Sequence, residues 1–320
     1  MRHFLVVLLS IFSFGGPVEK ASAESVDANA RKAVLVTGAS SGIGNRIALT
    51  LADKGFYVYA GARKAEDIAA LSALTNIEGI RLDVTVQDDI DAAVTAIRSK
   101  GRGLYGLVNN AGIFLFDPLI EASERDMQFI FDVNVLGPYR MSKAFAPLIT
   151  ESKGRITTIG SVAGLTSAQL FGPYSMSKFA MEAYTDALAQ EMAKFDVAVS
   201  IVEPGNFKSD IMKNMQRRLQ QLDAGERASL YREEIARFAN FTAVDRSHHA
   251  DPAPVAEAVH HFLTADKPSV RYLVTPNQTE ALFTIRSLLK KTLQLNHSRE
   301  GALSRAELIE MIDELLDKTP

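Results

Sequence analysis

The stretch Thr37-Gly38-Ala39-Ser40-Ser41-Gly42-Ile43-Gly44 decides how this chain folds. It ends a β-branched run, Ala33–Thr37, and opens a helical pattern over residues 43–54. Glycines spaced Gly-x-x-x-Gly-x-Gly permit a tight turn, let backbone come close to an anion, and allow a helix to pack near a sheet. The helix that follows aims unpaired N–H groups and the positive end of its dipole at that anion. In isolation a glycine-rich turn is often only a tight loop. A strand before and a helix after are the context that a pyrophosphate-binding turn requires. The spacing here is one residue wider than in the common dinucleotide fingerprint.

Outward from this turn, short β-branched runs alternate with longer helical patterns. Further strands are expected at Phe56–Ala60, Gly79–Asp83, Tyr105–Asn109, Arg155–Gly160, Val197–Val202 and Val270–Val274. Helical stretches lie near 43–54, 65–73, 86–100, 123–151 and 174–194. Strands separated by crossover helices imply parallel pairing with right-handed connections. The expected fold is therefore α/β: a Rossmann-type, doubly wound sheet of seven parallel strands with helices on both faces, in a single domain. That domain should span 32–276, with a charged helical insertion before the last strand forming a substrate lid over 206–245. Residues 277–320 read as a helical extension with amphipathic stretches at 279–295 and 304–317, the second opening on a capping box, Ser304-x-x-Glu307.

The amino terminus is different. Met1-Arg2-His3, the apolar run Phe4–Phe14, the break Gly15-Gly16-Pro17 and the small residues Ala21-Ser22-Ala23 have the layout of a secretory signal peptide over 1–23. The run is far shorter than the ~20 residues a spanning helix needs. The expectation is export or membrane association, with a polar linker over 24–31. The alternative is an uncleaved anchor that leaves the domain facing the cytoplasm.

The 320 residues carry a net charge of −3, which gives no electrostatic reason to expect nucleic acid as a partner. With no cysteine there are no disulfides, thiolate ligands or thiol nucleophile. The six histidines show no metalloprotease spacing. The pairs His248-His249 and His260-His261 read as solvated residues in and beside a polar loop, and no metal site is expected.

Two stretches place a tyrosine four residues before a lysine on one helix face: YRMSK (Tyr139–Lys143) and YSMSK (Tyr174–Lys178). In such a pair the ammonium can lower the phenol's pKa and make it a usable acid or base. With eight tyrosines in the chain, spacing alone does not choose between them.

The whole set of motifs does. TGASSGIG (37–44), LDV (82–84), NNAG (109–112), VNVLG (133–137), Ser161 after the fifth strand, YSMSK (174–178) and EPG (203–205) resemble the short-chain dehydrogenase/reductase family over roughly Lys32–Thr275. EPGNFKSD (203–210), AGARK (60–64) and RYLV (271–274) look like its hydroxysteroid and retinol dehydrogenase branch. The resemblance implies a catalytic set of Asn134, Ser161, Tyr174 and Lys178. Tyr174 would act as base in alcohol oxidation or acid in carbonyl reduction, its tyrosinate favoured by Lys178 and by an oxidised nicotinamide. Ser161 would hold the reacting oxygen, and Asn134 would complete a water-linked proton relay to the lysine. YRMSK is then an ordinary amphipathic helix segment.

The resemblance also assigns the cofactor site. Gly38, Ser40, Ser41, Gly42, Ile43 and Gly44 would cradle the pyrophosphate. Asp83 and Val84 would lie against the adenine, with Asn110, Ala111 and Gly112 beside the adenosine half. Pro204 and Gly205 would flank the nicotinamide, and Tyr174 and Lys178 border it as well. After the second strand the chain reads Ala60-Gly61-Ala62-Arg63-Lys64. That segment lacks the carboxylate with which NAD-preferring enzymes hold the ribose 2′-hydroxyl. Arg63 could instead fork onto a 2′-phosphate, so NADP is expected over NAD. The expected substrate is a lipophilic alcohol or its carbonyl, steroid- or retinol-like, lined by Phe114, Leu115, Phe116, Leu165, Phe171, Phe207 and Met212. Relatives pair the 123–151 and 174–194 helices across a two-fold axis, which implies a homodimer or homotetramer. The alternatives are a reductase of small or acyl-type carbonyls and a nucleotide-sensing protein without chemistry.

Overall fold

The computed structural model describes residues 31–209, 229–243 and 249–318. The leader over 1–23, nearly all of the linker, Met212 and much of the lid lie outside the described residues. No described helix is long and apolar enough to cross a membrane.

Strand β1 (Ala33–Val36) is buried along its whole length. Alternate side chains therefore serve opposite faces: Val34 and Val36 join one core, Ala33 and Leu35 the other. Around it lie β2 (Tyr57–Ala62), β3 (Ile77–Arg81), β4 (Gly106–Asn109), β5 (Arg155–Ile159), β6 (Ala198–Pro204) and β7 (Arg271–Val274). All pair in parallel, in the order β3-β2-β1-β4-β5-β6-β7. The expected seven-stranded doubly wound sheet is what forms. Helices α1 (Gly42–Asp53) and α2 (Ala65–Ser72) pack on one face, where Ile47, Leu51 and Leu71 are buried. On the other face lies α3 (Gln87–Ser99), with Ile90 and Ile97 in the core. The order reverses between β1 and β4, which opens a crevice at their carboxyl ends, the usual ligand site of such sheets.

The stretch 123–151, expected as one helix, is three pieces. Helix α4 (Glu124–Phe131) runs into a π-helical turn, Asp132–Leu136, and then α5 (Gly137–Glu151). Pro138 explains the interruption: it has no N–H to donate to the carbonyl four residues back, and its ring crowds that carbonyl. The short α6 (Val162–Leu165) follows β5, and α7 (Gly172–Ala193) starts at Gly172-Pro173, with proline in its first turn.

Within the insertion, α8 (Arg232–Ala243) is helical as expected. A further helix, α9 (Ala253–Thr264), was not anticipated. It buries Val255, Val259, Phe262 and Leu263 beside α1 and carries His260 and His261, which corrects their reading as loop residues. Its signals were present in that apolar spacing and in Asp251, whose carboxylate accepts the Ala253 N–H at 2.8 Å. The carboxyl-terminal residues form α10 (Gln278–His297) and α11 (Arg305–Lys318). The capping box at α11 forms: Glu307 accepts the Ser304 N–H at 2.7 Å, and Ser304 Oγ accepts the Glu307 N–H at 3.3 Å.

Candidate active site

The glycine-rich turn is held from below by β4. Thr37 Oγ1 accepts the N–H groups of Asn110 and Ala111, both at 2.9 Å, and the Asn110 amide donates to the carbonyls of Thr37 and Gly38 at 2.9 and 3.1 Å. A Cβ on Gly44 would stand 2.2 Å from that amide, so a side chain there would expel the staple. Gly38, at φ +64°, takes the left-handed conformation that favours glycine. Ser41 caps α1 without a side-chain hydrogen bond, and no acid occupies the helix's first turn. The end of α1 therefore keeps its N–H groups and positive dipole for an anion, as a cradle for a pyrophosphate must.

Gly38 and Ser40–Gly44 line one end of a continuous cleft of about 560 Å³. Arg63, Asp83, Val84, Asn110, Ala111 and Gly112 line its middle, and Ser161, Tyr174, Lys178, Pro204 and Gly205 its far end. The residues present thus fit a dinucleotide. Asn110 differs from expectation in one respect: its side chain is committed to the turn.

Arg63 also differs. The segment after β2 offers no acid, but β3 brings Asp83 to it, 3.7 Å from the guanidinium. Burial works against the Asp83 charge. Two hydrogen bonds from Thr85, with Arg63 and Arg81 nearby, still hold its carboxyl below the usual carboxylate range. Asp83 thus supplies a counter-charge that the sequence reading did not allow for.

At the far end, Ser161 caps α6, its Oγ accepting the Ala163 N–H at 3.1 Å, and its hydroxyl hydrogen-bonds Tyr174. Tyr174 and Lys178 are one helical turn apart on α7, 8% and 6% exposed. The Lys178 ammonium lies 5.7 Å from the Tyr174 ring centre and donates to the Ile159 carbonyl at 2.8 Å. Lys143 stands 5.8 Å from the Tyr139 ring, so the local geometry of the two pairs is nearly the same. Tyr139, however, is 48% exposed on α5, away from the cleft. Surroundings separate the pairs, not spacing.

Burial pushes the Tyr174 phenol up to about 12; the nearby Glu203 adds to the rise and the Ser161 hydrogen bond opposes it. The resemblance implies that Lys178 pulls that pKa down; burial outweighs any such effect, so the phenol is protonated at neutral pH. Burial also brings the Lys178 ammonium down to about 8, against the pull of Glu203.

Asn134 sits in the π-helical turn, 2% exposed. Its side chain takes both backbone groups of Ile113, at 2.8 and 2.9 Å, and donates to Ser177 Oγ at 3.0 Å. Gly112 lies between it and Lys178. A Cβ there would be 3.4 Å from Asn134 Oδ1 and 3.9 Å from Lys178 Nζ, so glycine keeps the gap between them open.

The expected substrate wall is only partly as read. Phe114, Phe171 and Phe207 line the cleft. Leu115 is instead buried with Ile130 and Tyr174, Phe116 is 1% exposed behind the wall, and Leu165 is not in the lining. Phe129 of α4, Phe238 of α8 and Glu280 of α10 line the cleft and were not anticipated. Phe238 stacks on Phe116 at 4.0 Å and meets Phe171 edge-on at 5.4 Å. Glu280 accepts the Asn206 N–H at 2.9 Å and the Asn277 amide at 3.3 Å. Asn277-x-x-Glu280 is itself a helix-cap pattern that could have flagged the second.

Residues 32–220 match the model of the short chain dehydrogenase family. The chain belongs to that family. The mitochondrial D-beta-hydroxybutyrate dehydrogenase of Bos taurus is 35% identical over 275 residues, covering 78% of each chain. Retinol dehydrogenase 5 of Mus musculus is 37% identical over 184 residues, 56% of this chain and 57% of that one. The crystal structure of a short-chain dehydrogenase from Streptomyces avermitilis superposes with a TM-score of 0.71 at 29% identity, covering 83% of this chain and 96% of that one. The protein is accordingly an oxidoreductase that interconverts an alcohol and a carbonyl with a nicotinamide cofactor.

Proposed function

We propose that this enzyme works on a lipophilic alcohol–carbonyl pair, with NADP preferred over NAD, through Ser161, Tyr174, Lys178 and Asn134. The observation that carries the substrate reading is the aromatic wall beside Tyr174. Phe114 lies 4.5 Å from the Tyr174 ring and 5.4 Å from Phe171, which in turn meets Phe238. Stacked rings offer a large apolar surface to a ring or polyene and little to a small hydrophilic acid. The retinol dehydrogenase likeness points the same way.

A nicotinamide held in the cleft would supply or accept the hydride. In carbonyl reduction Tyr174 gives its proton to the substrate oxygen while Ser161 holds that oxygen by a hydrogen bond. Lys178 would favour the tyrosinate so formed, and Asn134, clasping Ile113 and Ser177, stands across the Gly112 gap from it. In oxidation the same groups run in reverse. For the cofactor, Arg63 would turn from Asp83 to a 2′-phosphate, a charge-assisted bond of about 1.5–3 kcal/mol when well formed.

The likeness to D-beta-hydroxybutyrate dehydrogenase favours a second reading, a small hydroxy acid. One panel separates them: retinol, a 3β-hydroxysteroid and D-3-hydroxybutyrate, each with NADP+ and NAD+, followed by nicotinamide absorbance. Retinol or the steroid should exceed hydroxybutyrate by about tenfold or more in kcat/KM. NADP+ should exceed NAD+ by about 10- to 100-fold, at ~1.4 kcal/mol per factor of ten. Arg63→Ala should remove most of that preference by weakening NADP+ alone. Faster turnover of hydroxybutyrate would overturn the substrate reading, and equal efficiency with both cofactors the cofactor reading.

A further inference from the structure

Beneath Ser161, on the side away from the cleft, lies a pair of acids that the reaction just described does not use. Glu203, near the end of β6, is 1% exposed. Its Oε2 accepts the Ser161 N–H at 2.6 Å. Its Oε1 has no protein donor, and a Cβ on Gly160 would stand 2.2 Å from that oxygen. The carboxylate thus fills the space directly under the Gly160-Ser161 bend. Glu182, one turn beyond Lys178 on α7, is the nearest charged neighbour of the Glu203 carboxyl, and its own Oε1 likewise has no partner. The other Glu182 oxygen accepts from Arg271 Nε at 2.8 Å, and Arg271 binds Asp186 at 2.7 Å. Two carboxyl groups can meet in such a space only if a proton lies between them.

We propose that Glu203 is a positioning residue of the active site, fixing Ser161 through its backbone N–H and standing as the buried counter-charge of Lys178, with one proton shared between Glu203 and Glu182. The proposal rests on the reading of Ser161, Tyr174 and Lys178 as the catalytic group. With one proton, the pair carries a single negative charge against the single positive charge of Lys178. With none, two negative charges would share an apolar interior. With two, the ammonium would be buried uncompensated. The charged and titratable groups around Glu203 are Tyr174, Lys178 and Glu182 from α7, and beyond Glu182 the Arg271–Asp186 pair. Burial, followed by the Glu182 carboxyl, raises the Glu203 pKa well above the ordinary range, the direction in which a proton is retained. The Ser161 N–H and Lys178 act in the other direction.

The pH consequence has a definite sign. The Lys178 ammonium, brought down to about 8, is present below that pH and lost as pH rises through it. Tyr174, near 12, is still protonated there. In carbonyl reduction the alkaline limb therefore belongs to Lys178. Replacing Glu203 leaves the pair's single negative charge on Glu182, which is bound to Arg271, and Glu203 is the acid that acts on Lys178, so the ammonium becomes harder to keep and the limb moves down.

Infrared spectra of the wild type at pH 7, in H2O and in D2O, provide the first test. A buried, protonated carboxyl band that shifts on deuteration should be present and should vanish in both Glu203→Gln and Glu182→Gln. Its absence from the wild type, or its survival in both variants, would overturn the proposal whatever the substrate is. The second test is the pH profile of NADPH-dependent retinaldehyde reduction. Glu203→Gln keeps an oxygen for the Ser161 N–H, so its alkaline limb should fall by about one pH unit with only a modest rate loss below it. Glu182→Gln, which leaves Glu203 ionised, should hold the limb in place or raise it. An equal loss at every pH, with an unmoved limb, would reduce Glu203 to a packing role. If retinaldehyde is not reduced, or if Glu203→Gln does not fold, the wild-type and Glu182→Gln spectra decide. Loss of the proposed chemistry itself would show separately, as turnover retained in Tyr174→Phe.

Discussion

Two tyrosine–lysine pairs with the same spacing and nearly the same ring–ammonium distance differ in one physical respect: one is buried in a cleft and one faces solvent. Burial raises the Tyr174 pKa, and little water screens the phenol from the neighbouring ammonium. Tyr174→Phe keeps the ring and its contact with Phe114 but removes the hydroxyl. Turnover should fall by at least ~10²-fold, while binding of the reduced cofactor, read by fluorescence titration, should survive. Tyr139→Phe should leave both unchanged. Inactivation by Tyr139→Phe instead would move the active site to α5. Arg63 shows the opposite lesson. Its type was legible, but Asp83 reaches it from the segment after β3, a meeting that the β2–β3 pairing makes.

Helix α8 supplies one wall of the cleft. Its ring Phe238 stands against Phe116 and Phe171, and the segment before it is tied down where Glu121 accepts from Ser229 Oγ and the Leu230 N–H, each at 2.8 Å. An element that contributes one wall and no chemistry should affect binding more than turnover. Phe238→Ala should raise KM for a retinoid by about tenfold and leave kcat within about threefold. A matching loss in kcat with unchanged KM would mean that α8 acts on the reaction itself. The π-helical turn is the counterpart on the catalytic side. The extra residue in that turn accommodates Pro138 and leaves the Asn134 side chain clasping Ile113.

For the whole molecule, the exposed apolar residues Leu136, Tyr139, Met176 and Phe179 lie on α7, on α5 and at the π-helical turn that leads into α5. Those are the helices through which the family likeness implies association. Native mass spectrometry of protein from its own host should give a dimer or tetramer, and its protomer mass should correspond to a chain beginning at Glu24. A monomer at micromolar concentration would count against the first expectation, and a full-length protomer would favour the uncleaved anchor.

The sheet and the glycine-rich turn were legible because their signals are local. β-Branched runs, glycine at positions where the backbone must turn or approach closely, and the Gly172-Pro173 helix start act within a few residues of one another. The same holds for Ser304-x-x-Glu307, whose reciprocal bonds form as written. What the sequence could not determine depends on residues brought together from distant strands and helices. The counter-charge that Asp83 gives Arg63, the choice of Phe238 over Leu115 for the wall, the reach of Glu280 from α10 and the meeting of Glu203 with Glu182 are of this kind. Burial is the common cause. It sets the pKa of Tyr174 and Lys178 and decides which carboxyls must share a proton, and it exists only once the chain has closed on itself.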